Sequence, residues 1–102
     1  MKRINYDIPR DLDQAVNWLA SSLSYQDRSR LLNLEPRRLG RLYGDLIYTI
    51  RSVFYLSMNP LLLESCRRKT GKKSLSETEA CELILTELKK MLFRSGALRI
   101  VK

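Results

Sequence analysis

Arginines and tyrosines recur at steps of four and three along one stretch of the chain: Arg37, Arg41, Gly44, Tyr48, Arg51 and Tyr55. On a helix those steps bring the side chains onto one face. The chemistry open to such a row is recognition. Guanidinium groups grip phosphates and carboxylates in a fork, and tyrosine rings stack on bases, sugars or other rings. A second basic set, Arg67, Arg68, Lys69, Lys72 and Lys73, supplies candidate anion contacts. Trp18 completes the candidate contact residues. It projects with Gln14, Ser21 and Tyr25, away from the apolar stripe of its own helix. In one reading an arm, the tail or another helix covers it. In the other it is an exposed anchor, a role in which tryptophan is enriched.

Little in the chain points to catalysis. There is no histidine, hence no histidine base and no Ser–His or Cys–His pair. The two cysteines, Cys66 and Cys81, would need two further ligands to hold zinc. They read instead as small buried apolar residues. Lys69-Thr-Gly-Lys-Lys73 matches a phosphate loop only in composition, since it lacks the first glycine and a preceding strand. The expectation is a protein without catalytic activity, metal or cofactor.

The net charge of +8 is concentrated. Residues 1–35 balance to zero, and residues 36–73 hold nine basic groups against Asp45 and Glu64. That distribution favours an anionic partner or a soluble surface, and it says nothing about fold. The start, MKRINYDIP, has no apolar signal core, and no run reaches the roughly 18 apolar residues of a membrane span. We therefore expect a cytoplasmic protein with no membrane partner.

The elements that must position these residues are helices. With 4 Gly and 3 Pro in 102 residues, the composition favours long helices over a many-turned β fold. Asp11 with Gln14 and Ser24 with Asp27 read as helix starts, and Asn59-Pro60 caps and opens another. Ser76-Glu-Thr-Glu79 is a full capping box. These signals predict helices over about 12–23, 25–32, 36–58, 60–68 and 77–94. The third is the longest apolar stripe, through Leu39, Leu42, Tyr43, Leu46, Ile47, Ile50, Val53 and Phe54. The expected fold is a single all-α domain over residues 1–102. It would be a small bundle of four to five helices with extended terminal segments, helices 1, 3 and 5 supplying most of the core.

Ile8-Pro9-x-x-Leu12-x-x-Ala15-Val16-x-x-Leu19, then Ile50-Arg51-Ser52, Phe54, Leu56, Asn59 and Leu62-Leu63, resembles a family of small bacterial helical domains with no assigned function. The resemblance covers most of the chain and implies the fold, but no activity. Ser52 stands where the family pattern has Asn, and Tyr43 where it has His. It singles out Arg51, which on this helix would pair with a carboxylate or cap loop carbonyls.

Three arrangements are open for the Arg/Tyr row. The central helix is buried on both sides, with Tyr48 and Tyr55 in the core and Gly44 admitting a close neighbour. Or the row is a self-association surface, its 4-3 spacing suited to packing against another helix. Or it binds nucleic acid, arginines on phosphates and tyrosines on bases. The expected function is a small interaction module that associates with a protein partner or with itself; the alternative is nucleic-acid binding through residues 36–73, and an enzyme using Lys, Tyr or Cys comes third.

Overall fold

The structure is a computed structural model that describes residues 8–94, the side chain of Pro36 excepted. Apart from residues 8–10, the extended segments expected at the termini lie outside the described residues. Five α-helices follow one another: α1 (Leu12–Ser22), α2 (Tyr25–Asn33), α3 (Arg41–Tyr48), α4 (Pro60–Thr70) and α5 (Glu77–Arg94). The fold is all-α, and no strand occurs among the described residues.

Four of the five helices start where a side chain satisfies the free N–H groups of the first turn. Asp11 accepts from the Gln14 N–H at 2.8 Å. The Gln14 side chain in turn accepts from Arg10 N–H rather than from Asp11, so this capping box is displaced by one residue. Ser24 accepts from Asp27 N–H, and Asn59 from Leu62 N–H. Ser76 and Glu79 exchange bonds in both directions, at 3.1 and 2.9 Å. At the other end of α4, Gly71 takes a left-handed φ of 76°, and its N–H returns to Arg67 O.

The stretch 36–58 departs from the single helix expected. Pro36–Arg38 forms an isolated 3₁₀ turn. Gly40, at φ 59°, opens α3 without a side-chain cap. After Tyr48 the ladder widens to a π turn, Thr49–Val53, closed by Phe54 N–H on Thr49 O at 3.0 Å. Tyr55 then adopts a left-handed φ of 52°, and Leu56–Met58 form a further 3₁₀ turn. The chain turns through 103° into α4. A π turn carries an extra residue, so it rotates everything after it relative to a straight helix. Val53 is thereby turned out of the core, whereas Ile50, Phe54 and Leu56 are fully buried.

As expected, the first helix, the stretch 36–58 and α5 supply most of the buried core, and α5 is the element on which the others converge. It lies against α1, α4, α2 and the π turn, with α1 its most extensive neighbour. It buries Ala80, Cys81, Ile84, Leu85, Leu88 and Leu92, each large side chain contributing about 1.5–3 kcal/mol of transfer free energy. Helix α3 is peripheral. It anchors through Leu42 and Leu46, with Leu39 buried just ahead of it. Cys66 and Cys81 are free and buried, as expected of two small core residues. Burial pushes the Cys66 thiol up to about 11 and raises that of Cys81, which leaves both protonated and unreactive at neutral pH. No single helix among the described residues is long and apolar enough to cross a membrane.

Candidate functional site: the bend after helix α3

The bend is held from inside by Asn59, the one buried polar residue among those described. Its amide nitrogen donates to Pro9 O at 2.8 Å and to Phe54 O at 3.0 Å, while its oxygen caps α4. One side chain therefore ties the N-terminal arm, the end of the π turn and the start of the next helix. Ser65 reinforces the arm by accepting from Leu12 N–H at 2.9 Å. A buried amide with its donors and acceptor all used is a rigid joint, and losing any partner strands a polar group away from water.

The outside of the same bend is apolar and open. Tyr48 is 66% exposed, Tyr55 56%, Met58 80% and Leu61 58%, with Val53 turned outward beside them. This overturns the arrangement in which the central helix is buried on both sides. Tyr48 and Tyr55 face solvent, and a Cβ built on Gly44 would meet nothing within 4 Å. Gly44 therefore admits no helix among the described residues. The Arg/Tyr row is also not one helical face. Arg41, Gly44 and Tyr48 share α3, but Arg37 precedes the break at Gly40 and Tyr55 follows the π turn.

Arg51 is structural at its outer end. It reaches α5, donating to Glu77 Oε1 and Thr78 Oγ1, both at 3.2 Å. Of the two roles open to an arginine here, pairing with a carboxylate and capping loop carbonyls, this is the first, and it pins the π turn to the start of α5. Arg37 pairs with Glu35 at 3.4 Å on an open surface.

Much of the basic region is neutralised internally. Arg67 grips both oxygens of Glu64, at 2.8 and 2.6 Å, and also donates to Lys72 O. Arg68 shares Glu64 at 3.3 Å. Arg67, with Arg68 beside it, holds the Glu64 carboxyl down at about 2. Lys72 pairs with Glu79 at 2.6 Å, and the Glu79 carboxyl also falls to about 2. Arg38, Arg41, Lys69 and Lys73 are exposed, and no ion pair to them occurs among the described residues. So three of the candidate anion contacts, Arg67, Arg68 and Lys72, already have carboxylate partners, and Lys69 and Lys73 do not.

Trp18 occupies an intermediate position between the two arrangements considered for it. Its ring meets Phe54 edge-to-face, centroids 5.2 Å apart and planes at 87°, while about a third of the residue stays accessible. It also lines an open groove of about 720 Å³, with Pro9, Arg10, Gln14, Asn17 and Ser21. Amides, hydroxyls and one guanidinium form its polar lining, and no nucleophile there meets a base. A smaller cleft of about 450 Å³ sets Asp11 and Asp13 against Arg68 and Lys69. No group of three Cys, Asp or Glu side chains able to hold a metal ion occurs among the described residues.

Met58 and Leu61 belong to the open patch, and the periodicity gave no sign of them. The available signal was Asn59-Pro60. A cap and a helix start force a change of direction, and residues on the convex side of a sharp turn lose their neighbours. Compared with family models, with curated proteins and with solved structures, the chain finds no match.

Proposed function

We propose that the chain is a small non-catalytic interaction module that docks through the ridge of α3 and the outer face of the bend after it. One observation supports this reading above the others. Tyr48, Tyr55, Met58 and Leu61 are exposed on a backbone that Asn59 holds rigid from below. Large side chains presented on a preorganised support lose little conformational entropy on binding. Tyrosine and methionine are enriched at protein interfaces. The test is a photo-crosslinking amino acid at position 55, with position 26 on exposed α2 as control. A discrete protein adduct from position 55 alone, lost in Met58→Glu, supports the reading. No adduct, or equal yield from both positions, overturns it.

A second reading, nucleic-acid binding, draws on four exposed cations of residues 36–73 for which no ion pair occurs among the described residues: Arg38, Arg41, Lys69 and Lys73. Each phosphate contact made should add about −0.9 to the slope of log affinity against log salt on duplex DNA. A gel-shift titration with the four residues changed to Gln tests it. Unchanged affinity and slope in that variant would end it.

A further inference from the structure

The outer face of the bend is unlike the rest of this chain in charge. From Tyr48 to Leu63 the sole charged residue is Arg51, and its guanidinium is already paired with Glu77. A neutral, apolar patch thus sits on a protein of net charge +8. Tyr48, Val53, Tyr55, Met58 and Leu61 at their observed exposures present on the order of 600 Å², backbone and hydroxyls included, counting about 150–250 Å² for a fully exposed large residue, which is the upper end for the largest patch on a soluble monomer. Soluble monomers rarely leave a contiguous apolar patch of more than a few hundred Å² uncovered.

Charge decides among occupants. An anionic partner, whether nucleic acid or acidic protein, needs free cations at the contact. Arg41 and Lys69, at the far ends of α3 and α4 from the bend, are the flanking cations without ion pairs among the described residues. A second copy needs none. Its own neutral patch would meet this one, leaving the cations of both chains outside the contact. The patch approaches the roughly 800 Å² per partner of a standard interface, and Gly44, with open space above it, lets a partner backbone come close.

We propose that the outer face of the bend is a self-association surface, covered by a second copy of this chain through the same residues across a two-fold axis. The proposal rests on the interaction-module reading and gives that module its partner. It carries a salt dependence of distinctive sign. Repulsion between two chains of net charge +8 is screened as the Debye length falls from about 10 Å at 0.1 M salt to about 3 Å at 1 M. The dimer therefore tightens as salt rises, whereas an anionic partner would be lost.

The test is analytical ultracentrifugation of the purified full chain up to about 500 µM, in about 50 and about 500 mM NaCl. The expected result is a monomer–dimer equilibrium, with Kd on the order of tens of µM, that tightens several-fold at the higher salt. Met58→Glu and Leu61→Glu lie at exposed positions, so their urea midpoints should not move, and each should weaken the dimer at least about tenfold. A monomer at both salts, a dimer that weakens with salt, or one indifferent to both substitutions overturns the proposal. If the chain stays monomeric but position 55 crosslinks to another protein, the module reading stands and only the second copy falls. If neither association appears, both fall.

Discussion

Asn59 and Met58 are consecutive residues on opposite sides of one bend. On the inside, the Asn59 amide makes three hydrogen bonds, to the arm, to the π turn and to α4. On the outside, Met58 is the most exposed of the large apolar side chains described. Between Tyr48 and Asn59 the backbone passes through a π turn, a left-handed tyrosine and a 3₁₀ turn. Irregular backbone costs on the order of 1–3 kcal/mol per strained residue and persists where its surroundings over-determine it. Here the inner side supplies that determination, and the outer side receives a fixed shape that adds nothing to the core. Rigidity and exposure thus come from one segment, the combination a docking surface requires.

Substitutions can break this contrast, beginning inside. Phe54 is fully buried beneath Trp18, so Phe54→Ala should cost about 3–5 kcal/mol in a urea titration. A loss below about 2 kcal/mol would mean that the bend is loosely packed. Asn59→Ala removes the cap of α4 and leaves two buried carbonyls unpaired. The expected cost is about 3 kcal/mol, and a near-neutral result would show that the joint is held elsewhere.

Outside, the signs reverse. Gly44 lies within a helix with no neighbour above it, so Gly44→Ala should stabilise by about 0.5–1 kcal/mol through helix propensity alone. Destabilisation would reveal a contact missing from this account. Tyr55→Asn places a residue tolerant of left-handed φ where tyrosine is strained, and should stabilise by about 0.5 kcal/mol. A loss instead would show the ring packing against the fold. The smallest effect is pH dependence at the basic end. The Glu64 and Glu79 carboxyls titrate near 2 when folded, below their ordinary 4.5. Their contribution is therefore complete above about 4.5 and fades as pH falls toward 2. Thermal melts from pH 6 down to 2 should show a shallow decline that flattens in Glu64→Gln/Glu79→Gln.

What the sequence disclosed follows the same division. Helix starts are local chemistry, so Asp11, Ser24, Asn59 and Ser76 marked their helices within a residue or two. The face of α5, from Ala80 to Leu92, was legible because an unbroken 3.6-residue period needs no tertiary information. The central stretch was not legible, since three of its features are set by the rest of the fold. Gly40 and Tyr55 take positive φ, and for Tyr55 nothing in the residue type announces it. The π turn then shifts the phase, which is why Val53, sound on a straight helix, ends outside. The Arg/Tyr row was sensed as unusual, but its partner was hidden. Arg51 lies 26 residues from Glu77 in sequence, and no periodicity reports a pairing across that distance.

Two of the bonds at the bend also bear on the order of assembly. Asn59 holds Pro9 across 50 residues, and Ser65 holds Leu12 N–H across 53. A chain made from its N-terminus has α1 long before it has either holding group. The arm at 8–10 therefore stays unlatched until residue 65 has been added, and it closes late, once α4 is in place to receive it. Truncated chains ending before Asn59 would leave the arm open to protease, whereas chains reaching past Ser65 could begin to protect it. Residues 8–10 are in this sense secured only by chain made well after them.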